Sequence, residues 1–195
     1  MDEGGKDLGN VIVVSGPSGV GKSTIVRELI ERTGAVFSVS ATTRHPRAGE
    51  VNGRHYVFVD RTEFEAMIAE EKLLEWADVF GELYGTPAEP LQRARDQGRN
   101  VVLEIDVQGG LQVHRRVPDA IFIFITPPDH GELARRLHGR NSDSQQVISR
   151  RLTKADEEIN AAKSSGVYQH WVVNNDLQRA IRQVVDVVNQ ECCQR

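Results

Sequence analysis

Four consecutive apolar residues, Val11 to Val14, run into Gly16-Pro17-Ser18-Gly19-Val20-Gly21-Lys22-Ser23. Apolar positions then resume at Ile25, Val26, Leu29 and Ile30 with helical spacing. The order is strand, glycine turn, helix, and the turn satisfies G-x-x-x-x-G-K-[ST]. Glycines let backbone N–H groups turn inward around a phosphate, and the helix N-terminus adds positive potential. Lys22 is placed to reach β- and γ-phosphates, and Ser23 and Thr24 follow it at the helix start, with the Ser23 hydroxyl available to Mg²⁺. This one feature commits the chain to a parallel α/β architecture in which a strand feeds a nucleotide site.

Other segments extend that architecture. Val101 to Val107 is apolar except for Glu104 and Asp106, Ile121 to Ile125 is apolar throughout, and Trp171-Val172-Val173 supplies a last strand. Such runs fit strands covered on both faces. Leu177, Ile181, Val184 and Val188 repeat at helical spacing, a core-facing stripe. Cap signals mark helix starts at Thr62/Glu65, at Thr86/Glu89 with Pro87, and at Asp129. Strand alternation places Val102, Glu104 and Asp106 on one side, so two carboxylates stand at a strand's C-terminal end as candidates to organise Mg²⁺ through water.

A second anion site is legible in Ser40-Ala41-Thr42-Thr43-Arg44-His45-Pro46-Arg47. Arg44 and Arg47 around a proline turn suit the bidentate geometry of phosphate, with Tyr56 and Tyr84 as further donors. A second phosphate site beside one able to hold ATP indicates phosphoryl transfer between two substrates. The bland readings stay open here: a solvated basic loop for Arg44 and Arg47, an exposed strand position for Glu75, a solvated helix face for Arg136 and Arg140.

Composition narrows the classes. In 195 residues there are 28 acidic and 24 basic side chains, a formal charge of −4, which argues against a nucleic-acid-coating surface. No apolar run approaches the roughly 20 residues a bilayer span needs, and the opening ten residues carry no signal-peptide pattern. Cys192 and Cys193 are the only cysteines, so the reading is a cytoplasmic protein without a disulfide framework. The six histidines show no metal-ligand spacing.

The chain resembles the guanylate kinases over most of its length. The resemblance rests on SGPSGVGKST at Ser15 to Thr24, SVSATTRHPRAGE at Ser38 to Glu50, and the pieces LLEWA, YGTP, LEIDVQG, PPD, RRLHGR and VVNND. It implies a phosphate-loop (P-loop) parallel-sheet core over about 10–36, 87–126 and 145–191. It also implies an inserted GMP-binding lobe over about 37–86 and a small mobile lid over about 127–144. The implied reaction moves the γ-phosphoryl group of ATP to GMP with Mg²⁺. ATP would be held by Gly16, Pro17, Ser18, Gly19, Val20, Gly21, Lys22, Ser23 and Thr24, with Asn174 at the adenine.

By the same resemblance Ser40, Glu75, Thr86 and Asp106 read guanine, while Arg44, Arg47, Tyr56 and Tyr84 hold the GMP phosphate. Glu104 and Asp106 stand near magnesium and substrate, and Arg136, Arg140 and Arg151 join Lys22 as catalytic groups. Departures from the family pattern occur at Leu83, Asn141 and Asn175, none of them an assigned transfer residue. Two other readings share parts of the pattern: another small-molecule phosphate kinase of this fold, and a non-catalytic guanylate-kinase-like protein-binding module. The retained Gly21-Lys22-Ser23 and lid arginines weigh against the module. Neither nucleic acid nor membrane is an expected partner, and monomer and homodimer both remain open.

Overall fold

The computed structural model describes residues 8–79, 81–138 and 145–194. Five strands form one sheet: β1 (Val11–Ser15), β2 (Val36–Phe37), β7 (Val101–Glu104), β8 (Ile121–Thr126) and β9 (His170–Val173). Their order is β2-β7-β1-β8-β9 and every pairing is parallel. Alternation sorts their side chains into two cores. Val11, Val13, Leu103, Phe122 and Phe124 face one layer, built on α3 (Ala88–Asp96), α4 (Val107–Arg116) and part of α6 (Gln145–Ser165). Ile12, Val14, Val102, Ile123, Ile125 and Val172 face the other, against α1 (Lys22–Thr33) and α7 (Leu177–Cys193). Burial on both faces is why these strands read as continuous apolar runs.

The predicted stripe on α7 holds at Ile181, Val184 and Val188, which are buried, whereas Leu177 in its first turn is exposed. Cys192 and Cys193 are the last two residues of that helix. Among the described residues, no helix is long and apolar enough to cross a membrane.

A second sheet has the order β4-β3-β6-β5, from β3 (Ala41–Thr42), β4 (Val57–Phe58), β5 (Leu73–Val79) and β6 (Glu82–Pro87). Its pairings are mixed, with β3 parallel to β4 and antiparallel to β6. Phe64 of α2 (Arg61–Ala69) is buried against Ala41, Leu73 and Leu83, so Leu83 is a core residue of this layer.

Three local expectations are corrected. Asp60, not Thr62, caps α2, accepting from the Glu63 N–H at 2.8 Å, because the helix begins one residue before Thr62. Thr86 caps no helix: β6 continues through Pro87, which occupies the N-cap position of α3 with no side-chain hydrogen bond. Asp106 is not a strand residue. Strand β7 ends at Glu104, and Asp106 caps α4 by accepting from the Gly109 N–H at 2.8 Å. The cap at Asp129 is as read, with Glu132 N–H donating at 2.7 Å to start α5 (His130–His138).

Candidate active site

Register dictates where the first groups meet. Val14 of β1 pairs with Glu104 of β7, so the carboxylate that ends β7 stands beside the turn that leaves β1. That turn needs glycine, as Gly16 and Gly21 show. A β-carbon at Gly16 would fall 2.2 Å from the Ile125 carbonyl oxygen. Gly21 has φ 99°, in the left-handed region glycine enters without strain, and caps α1. Lys22 folds back over the loop and donates to the carbonyls of Gly16 and Pro17. Ser23 donates to Glu104 Oε1 at 2.7 Å.

This loop forms one wall of a cleft of about 610 Å³. Gly16, Ser18, Gly19, Gly21, Lys22, Ser23 and Thr24 line it, with Glu104 and Asp106 alongside. Val20 is fully buried behind the loop. Its carbonyl accepts from Asn174 Nδ2 at 2.8 Å, and Asn174 is itself buried. Asn174 therefore braces the loop from beneath, and its Oδ1 is a buried acceptor with no hydrogen-bond partner among the described residues.

The second sheet forms the opposite wall. Arg44 is held on every side. Its two terminal nitrogens donate to Glu50 at 3.0 and 2.9 Å, and its Nε donates to the Tyr84 hydroxyl at 3.2 Å. The guanidinium also lies 5.5 Å from the Tyr56 ring centroid. Hydrogen bonds from Arg44 and from the Arg47 backbone hold the Glu50 carboxyl down at about 2. The fork expected to meet phosphate with Arg47 is thus closed on Glu50 in this arrangement. Ser40, Arg47, Tyr56 and Tyr84 line the same cleft. Burial raises the Tyr56 hydroxyl pKa.

Glu75 is 5% exposed, on β5, opposite Thr86 of β6. The Thr86 hydroxyl donates to Glu75 Oε1 at 2.6 Å. Burial pushes the Glu75 carboxyl up to about 7, with the Thr86 bond opposing and the Asp106 charge adding. Its strand neighbour Trp76 is 40% exposed.

Arg151 lines the cleft from α6, together with Lys154, Ala155 and Glu158. Burial holds Glu158 up at about 6 against the pull of Lys22 and Lys154. Lys154 and Glu158 escaped the sequence reading, although their three- and seven-residue spacing from Arg151 places them on one helix face. Arg136 stands outside the cleft lining and spans the loop's underside. It donates to Glu132 Oε1 at 2.7 Å, to the Asn174 carbonyl at 2.9 Å and to the Val20 carbonyl at 3.4 Å. Arg140 and Asn141 lie outside the described residues, as does most of the expected lid's second half.

A phosphate cradle and a buried carboxylate facing each other across one cleft can hold two nucleotides end to end. Residues 8–191 match the guanylate kinase family. The chain is 47% identical to the guanylate kinase of Synechocystis sp. over 94% of its own length and 95% of that protein's. It is 50% identical to the guanylate kinase of Neisseria meningitidis serogroup A, over 93% and 87% of the two lengths. A crystal structure of guanylate kinase from Anaplasma phagocytophilum superposes with a TM-score of 0.78 at 34% identity, covering 95% of this chain and 87% of that one. The chain belongs to the guanylate kinase family.

Proposed function

We propose that this chain transfers the γ-phosphoryl group of ATP to GMP, giving ADP and GDP, in the cleft that the phosphate loop and the second sheet line together. The observation that carries the reading is the pairing of an intact phosphate loop with the buried Glu75 carboxylate on one cavity. Guanine presents N1–H and an exocyclic amino group on one edge, and an ionised Glu75 accepts both. Adenine offers an acceptor at N1 and would leave the carboxylate unmatched. Ser40, Thr86 and Asp106 would frame the base, and Arg44, Arg47, Tyr56 and Tyr84 the phosphate.

The chemistry asks for positioning and charge stabilisation, with no protein nucleophile. On the donor side, loop N–H groups and Lys22 would hold the β- and γ-phosphates, and Arg151 would meet the transferring group from α6. Lys22 now bonded to the Gly16 and Pro17 carbonyls would exchange those for phosphate oxygens. Arg136 and Arg140 would join from the lid, and Asn174 would keep the loop in shape beneath the adenine end.

The oxygen donors Ser23 and Glu104, 2.7 Å apart at the loop mouth, suit Mg²⁺, with Asp106 nearby for its water shell. Bound there, Mg²⁺ would neutralise charge on the β- and γ-phosphates. By the family resemblance the GMP lobe would span about 37–86 and the lid about 127–144, and their closure over bound nucleotides would exclude water.

A coupled assay of ADP formation tests the reading with GMP, IMP, AMP, CMP and ribose phosphates as acceptors. GMP should be preferred by orders of magnitude. Equal use of AMP, or preference for a ribose phosphate, would overturn it.

A further inference from the structure

Strand β5, which carries Glu75, is an edge of the second sheet, and one face of α4 covers that edge. Gln112 completes the backbone hydrogen bonding of Trp76 as a neighbouring strand would. The Trp76 N–H donates to Gln112 Oε1 at 3.2 Å, and Gln112 Nε2 donates to the Trp76 carbonyl at 2.7 Å. One turn later Arg116 donates to the Leu73 carbonyl at 2.6 Å. One turn earlier the helix presents Gly109, and a β-carbon there would fall 2.5 Å from Glu75 Oε2 and 3.1 Å from its Cδ. Positions 109, 112 and 116 share a helix face.

Glycine at 109 is not demanded by the backbone. Gly109 sits inside α4 without a left-handed φ, where alanine is the better helix former. What it leaves is room for a carboxylate oxygen. The opposite oxygen of the same carboxylate is anchored by Thr86. Glu75 is therefore seated between a hydroxyl on one side and a missing side chain on the other. The helix that seats it is capped by Asp106, so both carboxylates on this side of the cleft take their positions from one element.

We propose that Gly109 and Gln112 are specificity-determining positioning residues: Gly109 supplies the slot for the Glu75 carboxylate and Gln112 fixes the height of the strand that carries it. This rests on Glu75 being the guanine reader. An alanine at 109 has a cheap escape, because the group it meets is the tip of a side chain, so the fold survives while the carboxylate swings off Thr86. Loss of the Gln112 amide releases the backbone beside Glu75 with the same result. Neither residue touches the phosphate loop.

The test measures kcat and KM for GMP, IMP and ATP, with melting temperature, in wild type, Glu75→Gln, Glu75→Ala, Gly109→Ala, Gln112→Ala and the double variant Glu75→Ala/Gly109→Ala. Gly109→Ala and Gln112→Ala should each raise KM for GMP and narrow the GMP-over-IMP preference by about tenfold, with KM for ATP changed by less than about twofold. In the Glu75→Ala background the carboxylate is gone, so adding Gly109→Ala should change GMP kinetics by less than about twofold. A merely structural glycine would still cost there. If Glu75→Gln leaves GMP preference intact, the reading of Glu75 itself fails. If Glu75→Gln collapses it while Gly109→Ala and Gln112→Ala do not, the positioning role fails and the reading stands. Should Gly109→Ala lose its fold, Gln112→Ala carries the same readout.

Discussion

Thr86 donates its hydroxyl to Glu75 Oε1 at 2.6 Å across a directly paired position of β5 and β6, and both side chains are buried. The bond favours the ionised carboxylate, while burial, the larger influence, and the Asp106 charge favour the neutral acid; the balance falls at about 7. Guanine's two donors need the ionised form. GMP affinity should therefore rise as pH climbs toward 7 and level off above it, with proton release on binding below that point. The GMP phosphate also titrates near pH ~6, so the informative quantity is the difference between wild type and Glu75→Gln. Calorimetric titration in buffers of differing ionisation enthalpy reads it. Identical pH profiles for the two proteins would exclude Glu75 as the titrating group.

The same group bears on folding, with the opposite consequence. Its folded-state value of about 7 lies above the ordinary 4.5, so the folded protein retains a proton that the unfolded chain releases. The stabilisation is complete below about pH 4.5 and is lost as pH rises to about 7. The shift corresponds to an effect on the order of 3 kcal/mol. Glu158, held up at about 6 by burial, acts in the same direction over a narrower range. Glu75→Gln should flatten the fall in unfolding free energy between pH 5 and 8, measured by urea titration at each pH. An unchanged slope would mean that Glu75 is ionised throughout in the folded protein.

Lys22 holds the Gly16 and Pro17 carbonyls at the loop's edge, away from either hydrophobic core. Lys22→Ala should therefore keep the fold and lose roughly 3 kcal/mol of transition-state stabilisation, about a hundredfold in kcat. Circular dichroism and turnover on the same preparation make the comparison. Near-normal turnover by a folded variant would contradict the donor-side assignment of Lys22.

What was legible in the chain follows the range of the interactions involved. The phosphate loop, strands β1 and β8 and the α7 stripe from Ile181 to Val188 are dictated by neighbours within a few residues and stand where the local pattern put them, whereas Leu177 at the start of that stripe is exposed. Asp106 was misread because apolar alternation through Val107 outlasts the strand; only the Gly109 N–H, three residues on, reveals a cap. The Thr86/Glu89 pattern satisfies a capping box locally, yet pairing with β5 draws the Thr86 hydroxyl to Glu75, eleven residues away in sequence. Gln112 is an ordinary helix polar residue until Trp76, 36 residues earlier, comes to lie against it. No periodicity encodes which strand edge a helix face will meet.

Beside Gly109, Gly110 makes room for a different oxygen. A β-carbon there would fall 2.1 Å from the Tyr168 hydroxyl and 3.2 Å from its ring carbon Cζ. That hydroxyl, buried with a pKa pushed up to about 12, donates to Ser15 Oγ at 2.9 Å. Ser15 in turn lies 3.4 Å from the Asp106 carbonyl, so the contact joins α4 to the end of β1 where the phosphate loop begins. Tyr168→Phe should cost about 1 kcal/mol, the worth of one buried hydrogen bond. Gly110→Ala should cost about 1–3 kcal/mol, because its new methyl meets a hydroxyl on a rigid ring within a packed core. In the double variant the nearest obstacle is gone, while alanine's better helix propensity, about 1 kcal/mol, remains. The double variant should therefore be more stable than Gly110→Ala alone, a coupling read directly from a urea-denaturation cycle of the four proteins. Strictly additive costs would show that the tyrosine hydroxyl is not what keeps position 110 a glycine.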